Sequence, residues 1–238
     1  VKVGQYLIYL CSPNNPTGYT YTKQQLREWI DFANKTNSII LIDLAYESFI
    51  QDNLPHTTYS IPGAKKCVIE FCSFSKMAGF TNLRCSYTII PKTIQRENVN
   101  LNKSYQKRQL IKFNGVPYFV QVGAEYDLSP QGQIEQQKNI EYYKNNVKII
   151  CYYLEKQKCE YVSSNSTPYV WLKCPKGKSS WQFFNELLKN YAVVVTPGCG
   201  FGKCGEGYVR LSGFNSMENT VKACEKICEY LKKEKCTT

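Results

Sequence analysis

The chain has 238 residues, 43% of them hydrophobic and 21% charged, a balance that suits a folded protein with a sizeable core and allows one large or two small domains. Its formal net charge is +11, yet the lysines are scattered through every segment with no aromatic-basic repeat, so the charge reads as a solvated surface and no nucleic-acid partner is expected. No run of about 18 apolar residues spans a membrane, the 12 cysteines lack the paired C-x-x-C spacing of a zinc site, and a single histidine, His56, leaves little to build a Ser-His or Cys-His couple from.

The chain starts abruptly at Val1-Lys2-Val3-Gly4, which suggests a piece of something longer. Residues 5–10 form a strand-length apolar run stopped by Cys11-Ser12-Pro13-Asn14-Asn15-Pro16-Thr17-Gly18. This pattern predicts a buried strand that empties into a loop at its C-terminal end, where open α/β sheets bind ligands. Thr22 then caps a helix carrying Leu26, Trp29, Ile30 and Ala33 on one face. Residues 38–42 are a second apolar run ending on Asp43, and strand, helix, strand with short links predicts a right-handed parallel unit. A carboxylate at the end of such a strand is partly desolvated and persists when paired with a positive group; capping of the next turn is the alternative.

Residues 67–72 form the next strand, leading into Ser73-Phe74-Ser75-Lys76-Met77-Ala78-Gly79-Phe80 and, beyond it, Arg84. A lysine held in a tight loop at a strand end is a candidate Schiff-base nucleophile, and two hydroxyls with an arginine suit a phosphate. Taken alone, the same loop can be an ordinary solvated one. Another strand is expected over 85–91, a helix over 101–112, a turn at 113–118 with a further helical stretch, and a long amphipathic helix from 131 to about 158. Strands at Tyr161, 169–172, 193–195 and 208–212, with helices over 180–190 and 217–233, predict a second, smaller unit. The cysteines inside apolar runs, among them Cys11, Cys72, Cys85 and Cys151, read as reduced core thiols of an intracellular protein, cytoplasmic or, in a photosynthetic eukaryote, plastidic.

Taken in order, Ser12 to Gly18, Asp43-x-Ala45-Tyr46, Ser73 to Thr81, Arg84, Phe113-Asn114-Gly115, Thr167 to Trp171, Thr196-Pro197-Gly198 through Phe201-Gly202, Gly205-Glu206-Gly207 and Arg210 resemble the fold-type I pyridoxal-phosphate aminotransferases. Within that family the series is most similar to the branch that uses LL-diaminopimelate and 2-oxoglutarate in lysine biosynthesis. The resemblance implies an α/β fold, with part of the large, mainly parallel-sheet cofactor domain in 1–130 and an interdomain helix plus a smaller C-terminal α/β domain in 131–238. It implies pyridoxal 5'-phosphate as cofactor, amino-acid and 2-oxo-acid substrates, and a homodimer. By that resemblance Lys76 anchors the cofactor and serves as general base, Asp43 holds the ring nitrogen protonated, and Asn15 and Tyr46 bond the ring hydroxyl. Ser73, Ser75 and Arg84 grip the phosphate, Arg210 clamps the substrate carboxylate, and Asn114 reaches the neighbouring subunit's site.

Asn82 and Ser86 stand where the family commonly has glycine. Only the C-terminal portion of a family member is covered. The resemblance therefore places a phosphate loop and a ring-stacking side chain outside residues 1–238, which by themselves are expected to hold the cofactor weakly and not to turn over. Two readings stay open beside it: a non-catalytic chain that keeps the fold, and an aminotransferase for aspartate, alanine or aromatic amino acids.

Overall fold

The computed structural model describes residues 4–50 and 53–236; Val1, Lys2 and Val3, where the abrupt start was read, lie outside them. The chain divides into two compact units, residues 1–13 with 20–138 and residues 14–19 with 139–238. The expected boundary after residue 130 coincides with the start of helix Pro130–Lys156, whereas the observed division falls inside that helix, and the loop 14–19 goes with the second unit.

The first unit is built on a four-stranded sheet in the order β1 (Leu7–Cys11), β2 (Ile39–Asp43), β3 (Val68–Ser73), β4 (Ser86–Ile89), the first three parallel and β4 antiparallel to β3. Helix α1 (Lys23–Lys35) links β1 to β2. It starts at a capping box between Thr22 and Gln25 and buries Leu26, Ile30 and Ala33. The near-continuous apolar runs of β2 and β3 reflect burial on both faces. Ile40, Ile42, Val68 and Cys72 pack with Leu26, Ile30 and Ala33 on one side, while Ile39 and Ile69 pack with Ile90 and Ile94 on the other. Glu70 is 1% exposed within this apolar strand. It is tolerated because Thr57 Oγ1, Thr58 N–H and Thr58 Oγ1 donate to it at 2.8, 2.6 and 2.7 Å.

A helical turn, α2 (Phe74–Met77), follows β3 directly where a loop was expected. Phe74 and Met77 drive it: both are buried against Cys85, Val120 and Ala124, which leaves Ser75 and Lys76 half-buried. A two-stranded ribbon of β5 (Gln95–Arg96) and β6 (Val99–Asn100) precedes α3 (Leu101–Lys112) and α4 (Tyr118–Asp127). Helix α3 has no buried residue.

The second unit holds most of α5 (Pro130–Lys156) and an antiparallel sheet ordered β7 (Tyr161–Ser163), β8 (Tyr169–Lys173), β10 (Tyr208–Ser212), β9 (Thr196–Pro197). Val170, Leu172, Val209 and Leu211 point to one face and form a core with Phe183 and Leu187 of α6 (Ser180–Tyr191), Ile227 and Leu231 of α7 (Met217–Cys236), and Ile150 and Leu154 of α5. The strand expected over 193–195 is displaced to Thr196–Pro197. Those valines are spent closing α6: Ala192 is its left-handed cap and Val193 N–H bonds back to Leu187.

Candidate active site

In the first unit, the ladders run on past the strand ends and bring three of them side by side. Cys11 of β1 is level with Asp43 of β2, Ser12 N–H donates to Asp43 O, and Leu44 N–H donates to Phe71 O of β3, two residues before Ser73. Asp43 is half-buried. Its Oδ1 accepts from Ala45 N–H at 2.9 Å and its Oδ2 from the Tyr9 hydroxyl at 3.1 Å, and among the described residues no basic side chain is ion-paired with it. Partial desolvation of its hydroxyl and the Asp43 carboxylate push the Tyr9 phenol up to about 12, so it stays a donor. Tyr46, three residues on, is buried and packs its ring on Phe49.

Ser73 ends β3 and caps α2, its Oγ accepting from Ser75 N–H at 3.1 Å. Lys76 lies in the same turn. Arg84 closes the following loop with φ 55, a left-handed conformation that is uncommon and mildly strained for a non-glycine residue. It is exposed, and Nη1 donates to Thr81 O at 2.6 Å. Asn82 sits in the turn before it, and Ser86 is an exposed residue of β4 paired with Ser73, so its side chain does not crowd the loop. Asn114 stands apart from this group on an exposed turn with φ 65, its N–H closing α3 on Gln109 O.

In the second unit, Asn15 and Arg210 meet. Arg210 Nη1 donates to Asn15 Oδ1 at 2.6 Å, Nη2 is 3.5 Å from Thr196 Oγ1, and Nε is buried without a partner. Cross-strand register puts Thr196 and Trp171 opposite Arg210, on the face away from the apolar core. The loop that carries Asn15 is held by Ser164 Oγ, which donates to Gly18 O at 2.8 Å. Gly18 has φ +76, and a Cβ there would lie 2.5 Å from that Ser164 oxygen, so only glycine fits. A second close approach, between Gly198 and Gly205, shapes the loop after β9: a Cβ on either would strike the other's carbonyl.

The profile of the family Aminotransferase class I and II matches residues 2–227. The chain belongs to that family. It is 50% identical over 227 residues to the LL-diaminopimelate aminotransferase of Prochlorococcus marinus subsp. pastoris, covering 93% of this chain and 56% of that protein. It is 47% identical over 227 residues to the LL-diaminopimelate aminotransferase of Methanosphaera stadtmanae, covering 93% and 55%. Among solved structures, the L,L-diaminopimelate aminotransferase from Chlamydomonas reinhardtii superposes with a TM-score of 0.89 at 39% identity, over 94% of this chain and 56% of that one. The chain thus spans about half the length of the relatives it matches, and its fold is that of a fold-type I aminotransferase.

Within this aminotransferase fold, the residues singled out in the sequence form two groups, Asp43, Tyr46, Ser73, Ser75, Lys76 and Arg84 in the first unit and Asn15 with Arg210 in the second. Several neighbours carried no role in the sequence reading. Tyr9 was seen only as a strand residue, although a phenol two positions before the end of β1 lies beside the end of β2. Tyr169, Thr196 and Phe201 lie in quoted motifs, and register alone turns the first two toward Arg210.

Proposed function

We propose that the protein is a pyridoxal-phosphate-dependent aminotransferase that moves an amino group between LL-diaminopimelate and 2-oxoglutarate. The observation that carries the reading is Asp43: a half-buried carboxylate at a strand end, oriented by Ala45 N–H and the Tyr9 hydroxyl, with no described cation beside it. A carboxylate so placed has acceptor capacity left for a protonated ring nitrogen. The rest of the donor set fits the same cofactor. Lys76 supplies a primary amine for its carbonyl, Ser73 and Ser75 supply hydroxyls, and Arg84 retains guanidinium donors beyond the one on Thr81 for its phosphate.

When bound, pyridoxal phosphate supplies an electron sink for the negative charge left on the substrate carbon as its proton departs. The chain's own residues do the rest. Asp43 keeps the ring nitrogen protonated by its negative charge, and the Tyr9 bond keeps that carboxylate aimed. Lys76 Nζ would hold the cofactor's carbonyl and, once freed by the incoming substrate amine, would take the proton from the substrate α-carbon as general base. Tyr46 would supply a hydrogen bond to the ring hydroxyl. Arg210 would receive the substrate carboxylate, its terminal nitrogens keeping N–H donors beyond the contacts to Asn15 and Thr196.

The diaminopimelate assignment rests on the named relatives. Steady-state assays of the full-length protein with LL-diaminopimelate, aspartate, alanine and tyrosine as amino donors test it. The highest kcat/KM is expected for LL-diaminopimelate; preference for any of the other three contradicts it.

A homodimer is part of the same proposal. Leu110, Ile111, Phe113, Tyr118 and Phe119 are all exposed around Asn114, a contiguous stretch of the sequence whose apolar surface a second copy would cover. Phe119→Glu is then expected to give a monomer in sedimentation, whereas an unchanged mass removes this surface from the interface. The free thiols among the described cysteines support a reducing, cytoplasmic setting.

A further inference from the structure

Hydrogen bonds are only part of what holds Arg210. Its guanidinium carbon lies 4.2 Å from the centre of the Tyr169 ring and 5.1 Å from that of Phe201. Neither ring is loose. Tyr169 is 4% exposed and meets Phe214 edge-on at 6.0 Å. Phe201 meets Trp171 edge-on at 5.6 Å, and Trp171 is stacked on Tyr208 at 5.4 Å with an interplanar angle of 5°. All of these side chains belong to the second unit.

We infer that Tyr169 and Phe201 are specificity-determining walls: they fix the plane of the Arg210 guanidinium and make it select a planar carboxylate over a tetrahedral oxyanion of the same charge. The inference rests on the reading of Arg210 as the substrate-carboxylate clamp. A guanidinium donates only in its own plane, and a carboxylate brings two oxygens into that plane side by side. A sulfonate or phosphonate must place a third oxygen out of plane, where the negatively polarised faces of aromatic rings lie. With Asn15 holding one terminal nitrogen at 2.6 Å and Thr196 3.5 Å from the other, the cation's freedom to tilt and follow it is reduced. A lysine would lack this property, because its ammonium is a point charge without a plane.

The test uses the full-length protein loaded with pyridoxal phosphate and two unreactive monoanions of matched length, hexanoate and 1-pentanesulfonate, with dissociation constants measured by calorimetry. Wild type is expected to favour hexanoate by about tenfold or more, within the roughly threefold to thirtyfold that aromatic contacts to a cation are worth. Phe201→Leu is expected to bring the ratio within about threefold, mainly by improving sulfonate binding, and Phe201→Tyr to preserve it. Phe201 is 36% exposed, so its replacement spares the core that Tyr169→Leu would disturb. If Arg210→Lys leaves hexanoate binding unchanged, the clamp reading fails. If Arg210→Lys weakens it while wild type shows no preference, or while Phe201→Leu keeps the preference, the wall inference is overturned and the clamp stands.

Discussion

The face of the second unit that carries Arg210 is closely packed: Tyr169 and Trp171 are buried, the aromatic rings contact one another, and the loop bearing Asn15 is pinned through Gly18. In the first unit the strands flanking Asp43 and Lys76 are more open. Leu7 and Tyr9 of β1 are 70% and 65% exposed, and Arg84 is an exposed side chain with one backbone partner. The contrast teaches that Arg210, the proposed carboxylate clamp, is preformed by packing, whereas the residues proposed to hold the cofactor are aligned by a few hydrogen bonds. Much of their order is therefore left for a bound ligand to supply, since whatever binds only the folded state stabilises it by mass action.

The largest effect that sharpens this comparison is expected for Asp43→Ala. Without the carboxylate the ring nitrogen is no longer held protonated, and kcat is expected to fall by about a thousandfold or more while Lys76 still captures the cofactor. Single-turnover rates read this; a loss under tenfold would remove Asp43 from the chemistry. Next comes packing. Leu187→Ala, in the fully buried core of the second unit, should cost roughly 2–5 kcal/mol in denaturant unfolding. Leu7→Thr on the open strand of the first should stay within about 0.5 kcal/mol, and equal costs would break the comparison.

Arg210→Lys keeps the charge but loses the fork, so KM for the amino donor should rise by roughly tenfold to a hundredfold with a smaller change in kcat. A change confined to kcat would argue against a carboxylate clamp. The smallest effect is alkaline. Burial pushes Cys67 and Cys72 of the first unit from 9.0 up to about 11, and Cys174 and Cys224 of the second up to about 12. Raised values mean that folding favours the protonated thiols. Their stabilisation is complete below pH 9 and is lost as pH rises through about 11 in the first unit and about 12 in the second. Pulsed thiol labelling with mass mapping should leave Cys67, Cys72, Cys174 and Cys224 unmodified at pH 9 and modify them only well above it; rapid labelling of these four at pH 9 would contradict it.

Much of this was legible in the sequence, for identifiable reasons. Strands β2 and β3 were plain because parallel strands buried on both faces are written as unbroken apolar runs, whereas the run read as a buried strand at β1 leaves Leu7 and Tyr9 exposed on one face; the residues after all three fell at one sheet edge because parallel strands end there together. The valines at 193–195 misled because alternating burial at the end of a helix mimics a strand. The turn holding Lys76 was hidden because its helical shape comes from Phe74 and Met77 packing on α4, a contact distant in the chain. Asn15 and Arg210 were each assigned, but their pairing across 195 residues, and the rings beside them, depend on register and packing that no local pattern encodes.

The account turns on Lys76 as the cofactor's anchor. The most direct measurement is borohydride reduction of the full-length protein incubated with pyridoxal phosphate, followed by peptide mass mapping. The account predicts one dominant modified residue, Lys76, with the labelling and its visible absorbance lost in Lys76→Ala while Asp43→Ala weakens but keeps it. Labelling spread over surface lysines, or unchanged in Lys76→Ala, would contradict it.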